Sequence, residues 1–167
     1  LVTSTLRLND SDFLNGQVTG RYRFTGDDGS TATVRNEGSI RSANGGQVLL
    51  LGAQVENTGS VEAGSGNVTL AAARSVELVD TGLPNLAVRV DVPAGESLNM
   101  GRLVADGGTV DVFGAIVNQQ GLVQADTLAV DAQGRITLKA SDTLMLGTGS
   151  VTQARGTAAG RTGGNMG

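Results

Sequence analysis

Apolar residues recur at every second position in short runs along most of this chain. Val48 and Leu50, Val68 and Leu70, and Val110 and Val112 share one side of three such runs, with Leu49, Thr69 and Asp111 on the other. That period of two predicts strands with one face inward and one outward. The outward assignment makes Thr69→Asp nearly neutral, whereas Leu70→Asp would bury a carboxylate without a partner. No window of eleven or more residues carries the spacing of a capped amphipathic helix. Strands of three to five residues, separated by Gly- and Asn-rich turns, are predicted throughout.

The strands fall into a longer repeat. Asn36, Gly38 and Ile40 return 21 residues later as Asn57, Gly59 and Val61. Asn99, Gly101 and Leu103 follow after a further 42, and Gln119, Gly121 and Val123 after another 20. Each unit continues with a small residue (Ser42, Ala63, Ala105, Ala125), a polar turn and an alternating strand. Looser echoes follow at Leu128/Val130, Ile136/Leu138, Leu144/Leu146 and Val151. A sandwich or barrel normally shows no such homology between units. A parallel β-helix does, because equivalent strands of successive coils stack on one another. The predicted class is therefore all-β, a parallel β-helix with coils of about 21 residues and an aliphatic lumen. Its columns are formed by Ile40, Val48, Leu50, Val61, Val68, Leu70, Leu103, Val110, Val112 and Val123. Gly and Asn would supply positive-φ corners, and turn Asn residues would bond their equivalents one coil away. At about 4.8 Å per coil the rod would be on the order of 35–40 Å long.

Three regions depart from the rhythm. Residues 1–35 form a leader of capping strands that holds Phe13, Tyr22 and Phe24, placed to close the apolar column or to dock a partner. Residues 36–155 hold the coils. Within them, residues 79–98 fit an ordinary coil better than a hairpin leaving the helix, since the 42-residue gap has room for one more turn. Residues 156–167 are Gly-, Thr- and Ala-rich and read as a frayed end. The chain starts at Leu1 without a signal-peptide pattern and reads as a piece of something longer.

Composition narrows the chemistry. The 167 residues include no Cys, His or Trp, 26 Gly and only four aromatics. Imidazole-based dyads, thiolate or imidazole zinc sites and disulfides are thereby excluded. Apolar residues at 39% and only two Pro argue for a packed core, not a disordered Gly-rich chain. A net charge of −4 supplies no field for nucleic acid, and no apolar run is long enough for a membrane-spanning helix. No cofactor or metal is expected. The acidic turn Asp27-Asp28-Gly29 reads as solvated, and Gly64-Ser65-Gly66 lacks the helix that a nucleotide loop requires. The pairs Asp106/Asp111 and Asp126/Asp131 are candidate carboxylate dyads for glycoside cleavage, a chemistry some β-helices perform. The scarcity of aromatic sugar platforms argues instead for outer-turn solvation. Arg21 and Arg23 flank Tyr22, a composition found at protein interfaces, or else at charged strand edges.

The leader, with Asp12-Phe13-Leu14-Asn15-Gly16 and Arg21-Tyr22-Arg23-Phe24-Thr25-Gly26, precedes coils marked Asn36-Glu37-Gly38-Ser39-Ile40, Asn57-Thr58-Gly59-Ser60-Val61 and Asn118-Gln119-Gln120-Gly121-Leu122-Val123. This order resembles the N-terminal two-partner secretion domain of filamentous haemagglutinin-family exoproteins, across roughly residues 1–150. The family's Asn-Pro-Asn-Gly turn is absent from this chain. The resemblance implies a right-handed parallel β-helix in a secreted, cell-surface exoprotein of a Gram-negative bacterium. The periplasmic domains of a cognate outer-membrane transporter would recognise it, with Phe13, Arg21, Tyr22, Arg23, Phe24 and Asn36 as the candidate recognition residues. A host receptor or matrix polysaccharide would be bound through the remainder of the exoprotein, an adhesin, haemolysin, toxin or biofilm scaffold. No nucleic-acid partner and no membrane insertion are implied. The expected function is a non-catalytic secretion and adhesion module that templates β-helix folding. A β-helix carbohydrate-active enzyme and a biofilm matrix segment are the alternatives. Lack of thiols suits a chain held unfolded in an oxidising periplasm.

Overall fold

The computed structural model describes residues 1–127, 134–156 and 163–167. In chain order its elements begin with β1 (Val2–Ser4), α1 (Asp10–Thr19), β2 (Arg21–Thr25), β3 (Thr33–Asn36), β4 (Ser39–Arg41) and β5 (Gln47–Gly52). Next come β6 (Gln54–Asn57), β7 (Ser60–Glu62), β8 (Asn67–Val79), β9 (Ala87–Pro93), β10 (Glu96–Asn99) and β11 (Arg102–Val104). The last are β12 (Thr109–Gln119), β13 (Leu122–Gln124), β14 (Arg135–Leu146), β15 (Val151–Gln153) and β16 (Asn165–Met166).

The predicted parallel β-helix is the fold. Each coil passes over three faces. The first stacks β1, β5, the start of β8, the start of β12, the start of β14 and β16. The second stacks β3, β6, β10 and the ends of β12 and β14. The third stacks β4, β7, β11, β13 and β15. Every pairing on these faces is parallel, and the register follows the sequence repeat. Val48 lies beside Val68, Val68 beside Val110 and Val110 beside Ile136. Ile40, Val61, Leu103 and Val123 form the matching column on the third face. Val48, Leu50, Val61, Val68, Leu70, Leu103, Val110, Val112 and Val123 are buried in one lumen, with Ile40 partly buried at the end of its column. Burying one such side chain contributes about 1.5–3 kcal/mol. The exposed coil-to-coil ion pairs Arg35–Glu56 (2.9 Å) and Arg41–Glu62 (2.7 Å) contribute at most about 1 kcal/mol each. The columns therefore dominate.

The corner between the second and third faces is held by side-chain amides. Asn36 Nδ2 donates to Asn57 Oδ1 (2.7 Å), Asn57 Nδ2 to Asn99 Oδ1 (2.8 Å), and Asn99 Nδ2 to Gln119 Oε1 (2.7 Å). The next position up is Leu146, so Gln119 Nε2 turns to the Gly121 and Val151 carbonyls instead. Gly38, Gly59, Gly101 and Gly121 occupy this corner, and none of them has positive φ. A Cβ on Gly59 would overlap the Gly38 carbonyl, and one on Gly101 the Gly59 carbonyl. Glycine is required here by the close approach of stacked backbones. Positive φ occurs instead at the corner between the third and first faces, at Gly45, Ser65 and Gly107, and at Gly149 in the turn before β15.

Residues 79–98 do not form a further coil. After Ala72 the chain leaves the helix, and β9 returns antiparallel to the second half of β8, with β2 antiparallel on its other side. Exit and re-entry meet at one place, where Ala94 N–H donates to Ala72 O (3.2 Å). Ser97 seals the junction, accepting from Ala72 N (3.2 Å) and donating to Phe113 O (2.6 Å). The excursion is about one coil long, so spacing alone did not distinguish it from a coil. With this excursion and most of the leader outside the stack, the third face holds five strands among the described residues. The rod is then on the order of 20–25 Å at about 4.8 Å per strand, shorter than expected.

The three-stranded sheet covers the outside of the first face. Tyr22, Phe24, Val76, Leu78, Val88 and Val90 pack over Leu49, Leu51, Ala71 and Phe113. Tyr22 and Phe24 thus lie outside the lumen and do not close its end. Thr69, expected in solvent, is 2% exposed. Both faces of β5 and of the first half of β8 are buried, which is why their apolar runs are nearly continuous.

The leader also contains a helix where strands alone were expected. Asn9 caps α1, its Oδ1 accepting from Asp12 N (2.8 Å), and Gly20 ends it at φ 69°. The only buried position of α1 is Gly16, against the Tyr22 ring, so no apolar stripe marks the helix in the sequence. At the other end, residues 163–167, part of the segment read as frayed, continue the first face through β16. Residues 157–162 lie outside the described residues, as do Leu128 and Val130.

Asn57→Ala should leave Asn36 Nδ2 and Asn99 Oδ1 without their short partners, at a cost of about 2–4 kcal/mol. Gly59→Ala should cost at least as much, and denaturant unfolding of each variant measures both. Thr69→Asp should destabilise by several kcal/mol, comparably to Leu70→Asp. Thr69 is buried and stacks directly beside Asp111, so a second carboxylate there is both desolvated and repelled. A nearly neutral Thr69→Asp in the same assay would contradict this packing.

Candidate recognition surface

Alternation along β2 divides its side chains between two environments. Tyr22 and Phe24 face the helix, while Arg21 and Arg23 face outward. Antiparallel pairing sets Arg21 beside Val79, Arg23 beside Glu77, and Glu77 beside Arg89. The outer face therefore carries a charged lattice. Glu77 accepts from Arg21 (3.2 Å) and lies 3.8 Å from Arg89, and Arg23 lies 3.5 Å from Asp91. Glu77 is nearly buried beneath the two guanidiniums, whereas all three Arg side chains are more than half exposed. Three cations over two carboxylates leave this face net positive on an acidic chain.

α1 extends the surface. Phe13 stands 6.4 Å from the Tyr22 ring, and Leu14 and Val18 are exposed, Val18 at 86%. Of the candidate residues, Phe13, Arg21, Tyr22, Arg23 and Phe24 gather in this sheet–helix unit. Asn36 does not join them, since it lies buried in the amide ladder. Glu77, Arg89 and Asp91 belong to the surface without having been picked out in the sequence. The available signal was the charge alternation of Arg89 and Asp91 beside an apolar Val88/Val90 face.

The candidate carboxylates have separate fates. Asp106 accepts from Gln124 Nε2 (3.0 and 2.9 Å) and from Asp126 N (2.9 Å), and Asp126 accepts from Arg155 N (2.8 Å). These two brace successive corners of the helix. Asp111 lies instead on the outer side of the first face, so Asp106 and Asp111 form no dyad, and Asp131 lies outside the described residues. Asp27 pairs with Arg7 (3.1 Å) and Asp28 with Arg74 (3.4 Å). Gly64, Ser65 and Gly66 form a corner leading into β8. No group of three metal-ligating side chains occurs among the described residues, and no described helix is long and apolar enough to cross a membrane.

Burial raises the pKa of Asp111, opposed by a hydrogen bond from Thr137 and by the Arg135 charge. A carboxyl that ionises less readily folded than unfolded destabilises the fold once it is charged. Asp111→Asn should therefore raise the melting temperature at neutral pH. The gain should shrink as pH falls through the raised pKa and vanish below the ordinary value of 3.8. Melting temperatures of both proteins across acidic pH test this, and a gain that persists at low pH would contradict it.

No family model and no curated protein sequence matches the chain. Among solved structures, the HMW1 secretion domain from Haemophilus influenzae aligns with a TM-score of 0.71 and 26% identity over 82% of this chain. The alignment covers 36% of the solved chain, so this chain spans little more than a third of that protein's length. The leader and coil motifs and the stacked parallel faces converge with this likeness on one conclusion: the chain is similar to the N-terminal secretion domains of two-partner systems.

Proposed function

We propose that this chain is a non-catalytic export module of a large secreted exoprotein, recognised by the periplasmic domains of an outer-membrane transporter. The likeness to the HMW1 secretion domain carries the reading. Two physical features support it. The extra-helical sheet and α1 offer exposed Arg21, Arg23 and Arg89 beside exposed Leu14 and Val18, a mixture of cationic and apolar groups suited to a protein partner. The helix itself folds coil upon coil. A single coil cannot bury its columns, so each coil is stabilised by the one before it. Folding outside the membrane would then oppose backward movement of the emerging chain without ATP in that step. The exoprotein would act at the bacterial cell surface, with adhesion residing in other parts of it. An enzymatic role is disfavoured because Asp106 and Asp126 are engaged in corner bonds.

Tyr22 and Phe24 pack the sheet onto the helix, so replacing them would confound folding with recognition. The outward arginines separate the two. Arg21→Ala with Arg23→Ala should reduce exoprotein in the supernatant of cells carrying the cognate transporter, several-fold relative to Arg35→Ala with Arg41→Ala on the distant faces. The purified variants should melt within a few degrees of the parent. Equal secretion by the two double variants would refute recognition through this sheet.

A further inference from the structure

The extra-helical sheet covers only the lower coils of the first face. Above it, a cleft of about 790 Å³ opens between the β8–β9 excursion and the outer sides of β12 and β14. That volume lies in the range of small-molecule sites. Its wall is fixed in place. Gln47 clamps the excursion, donating to Leu86 O (2.8 Å) and accepting from Leu86 N (3.1 Å), and Asn85 Nδ2 donates to Gly45 O (3.3 Å).

The floor is built of stacked columns that change character up the helix. One column runs Leu49, Thr69, Asp111, Thr137, and its neighbour Leu51, Ala71, Phe113, Lys139. Beneath the sheet both columns are largely apolar. In the cleft they become hydroxyl, carboxylate, ring and ammonium. The chain's single Lys and its one aromatic residue outside the leader both stand here. Lys139 makes no ion pair among the described residues, and Arg135 reaches Asp111 only at 3.9 Å. Asp111 is mostly buried, in register with Thr137 on the next coil. The site thus presents cations in excess, an acceptor carboxylate with room for further donors, and polar rungs repeating once per coil.

We propose that this cleft binds a carboxylated oligosaccharide lying along the helix axis, its carboxylate on Lys139 and Arg135, its hydroxyls on Asp111 and Thr137, and a sugar face on Phe113. The rung spacing favours a sugar over a peptide. Coils repeat at about 4.8 Å, close to the length of one pyranose unit, whereas an extended peptide advances about 3.3 Å per residue and falls out of step. Hydroxyl donors match the acceptor oxygens of Asp111, and a carboxylate supplies an ion-pair partner that Lys139 does not have among the described residues. This site is independent of export.

Titration calorimetry of the purified 167-residue chain with tetragalacturonate tests it, with maltotetraose and tetraglutamate as comparison ligands. Saturable binding of the uronate is expected, with a Kd near or below about 1 mM. Lys139→Gln and Arg135→Gln should each weaken it roughly tenfold, and Asp111→Ala should weaken it as well. Arg41→Gln, on the third face, should leave it unchanged, and the melting temperature of the Lys139 variant should match the parent's. Equal binding of maltotetraose would overturn the carboxylate assignment. Tighter binding of tetraglutamate that is lost in Lys139→Gln would make the cleft a peptide site. Equal weakening by Arg41→Gln would reduce the effect to general charge, and no binding of tetragalacturonate up to about 10 mM would end the proposal.

Discussion

Coil-to-coil stacking at the strand spacing of about 4.8 Å is the constraint on which this structure rests. It admits no Cβ where Gly59 meets Gly38 or where Gly101 meets Gly59. It also brings Asn36, Asn57, Asn99 and Gln119 into one line, each amide donating to the next. A one-residue slip would break that line, turn the lumen columns outward and set side chains against stacked carbonyls. The register is therefore specified at several independent points, and the apolar columns supply the bulk of the energy.

Stacking also explains how the chain accommodates an insertion. The excursion after Ala72 leaves and re-enters at one corner, and Ser97 occupies the hydrogen-bonding positions opened there. Coils below and above then pair as though nothing intervened, with Asn57 bonded directly to Asn99. The inserted strands are stabilised by covering Leu49, Leu51 and Ala71. The same insertion creates the charged outer lattice of Arg21, Glu77 and Arg89 and leaves the cleft above it. Both candidate binding features thus arise where the regular rod is interrupted, not from the rod itself.

The parallel β-helix and its lumen were legible in the sequence because each column residue recurs at the same place in its unit, and period-two alternation tells inside from outside within a unit. Residues of one coil position share one environment, so a linear repeat becomes a spatial column with no further information. The secretion-domain resemblance was legible for the same reason, through the order of leader and coils.

Tertiary structure alone decided what lies over the first face. The 42 residues between Asn57 and Asn99 fit either two coils or one coil and an equal excursion, and local spacing is the same for both. Thr69 alternates outward and looks solvated, yet it is buried where the β8–β9 excursion folds back over the first face. Leu49 and Leu51 hinted at this, since an outward leucine pair on β5 needs a cover. The helix α1 escaped because it buries only Gly16 against Tyr22 and so needs no apolar stripe; its Asn9 cap and Gly20 terminus were the signals present. Asp111, Phe113 and Lys139 share a cleft through coil stacking and the position of the excursion, and neither their types nor their spacing marks them as neighbours of residues 83–88.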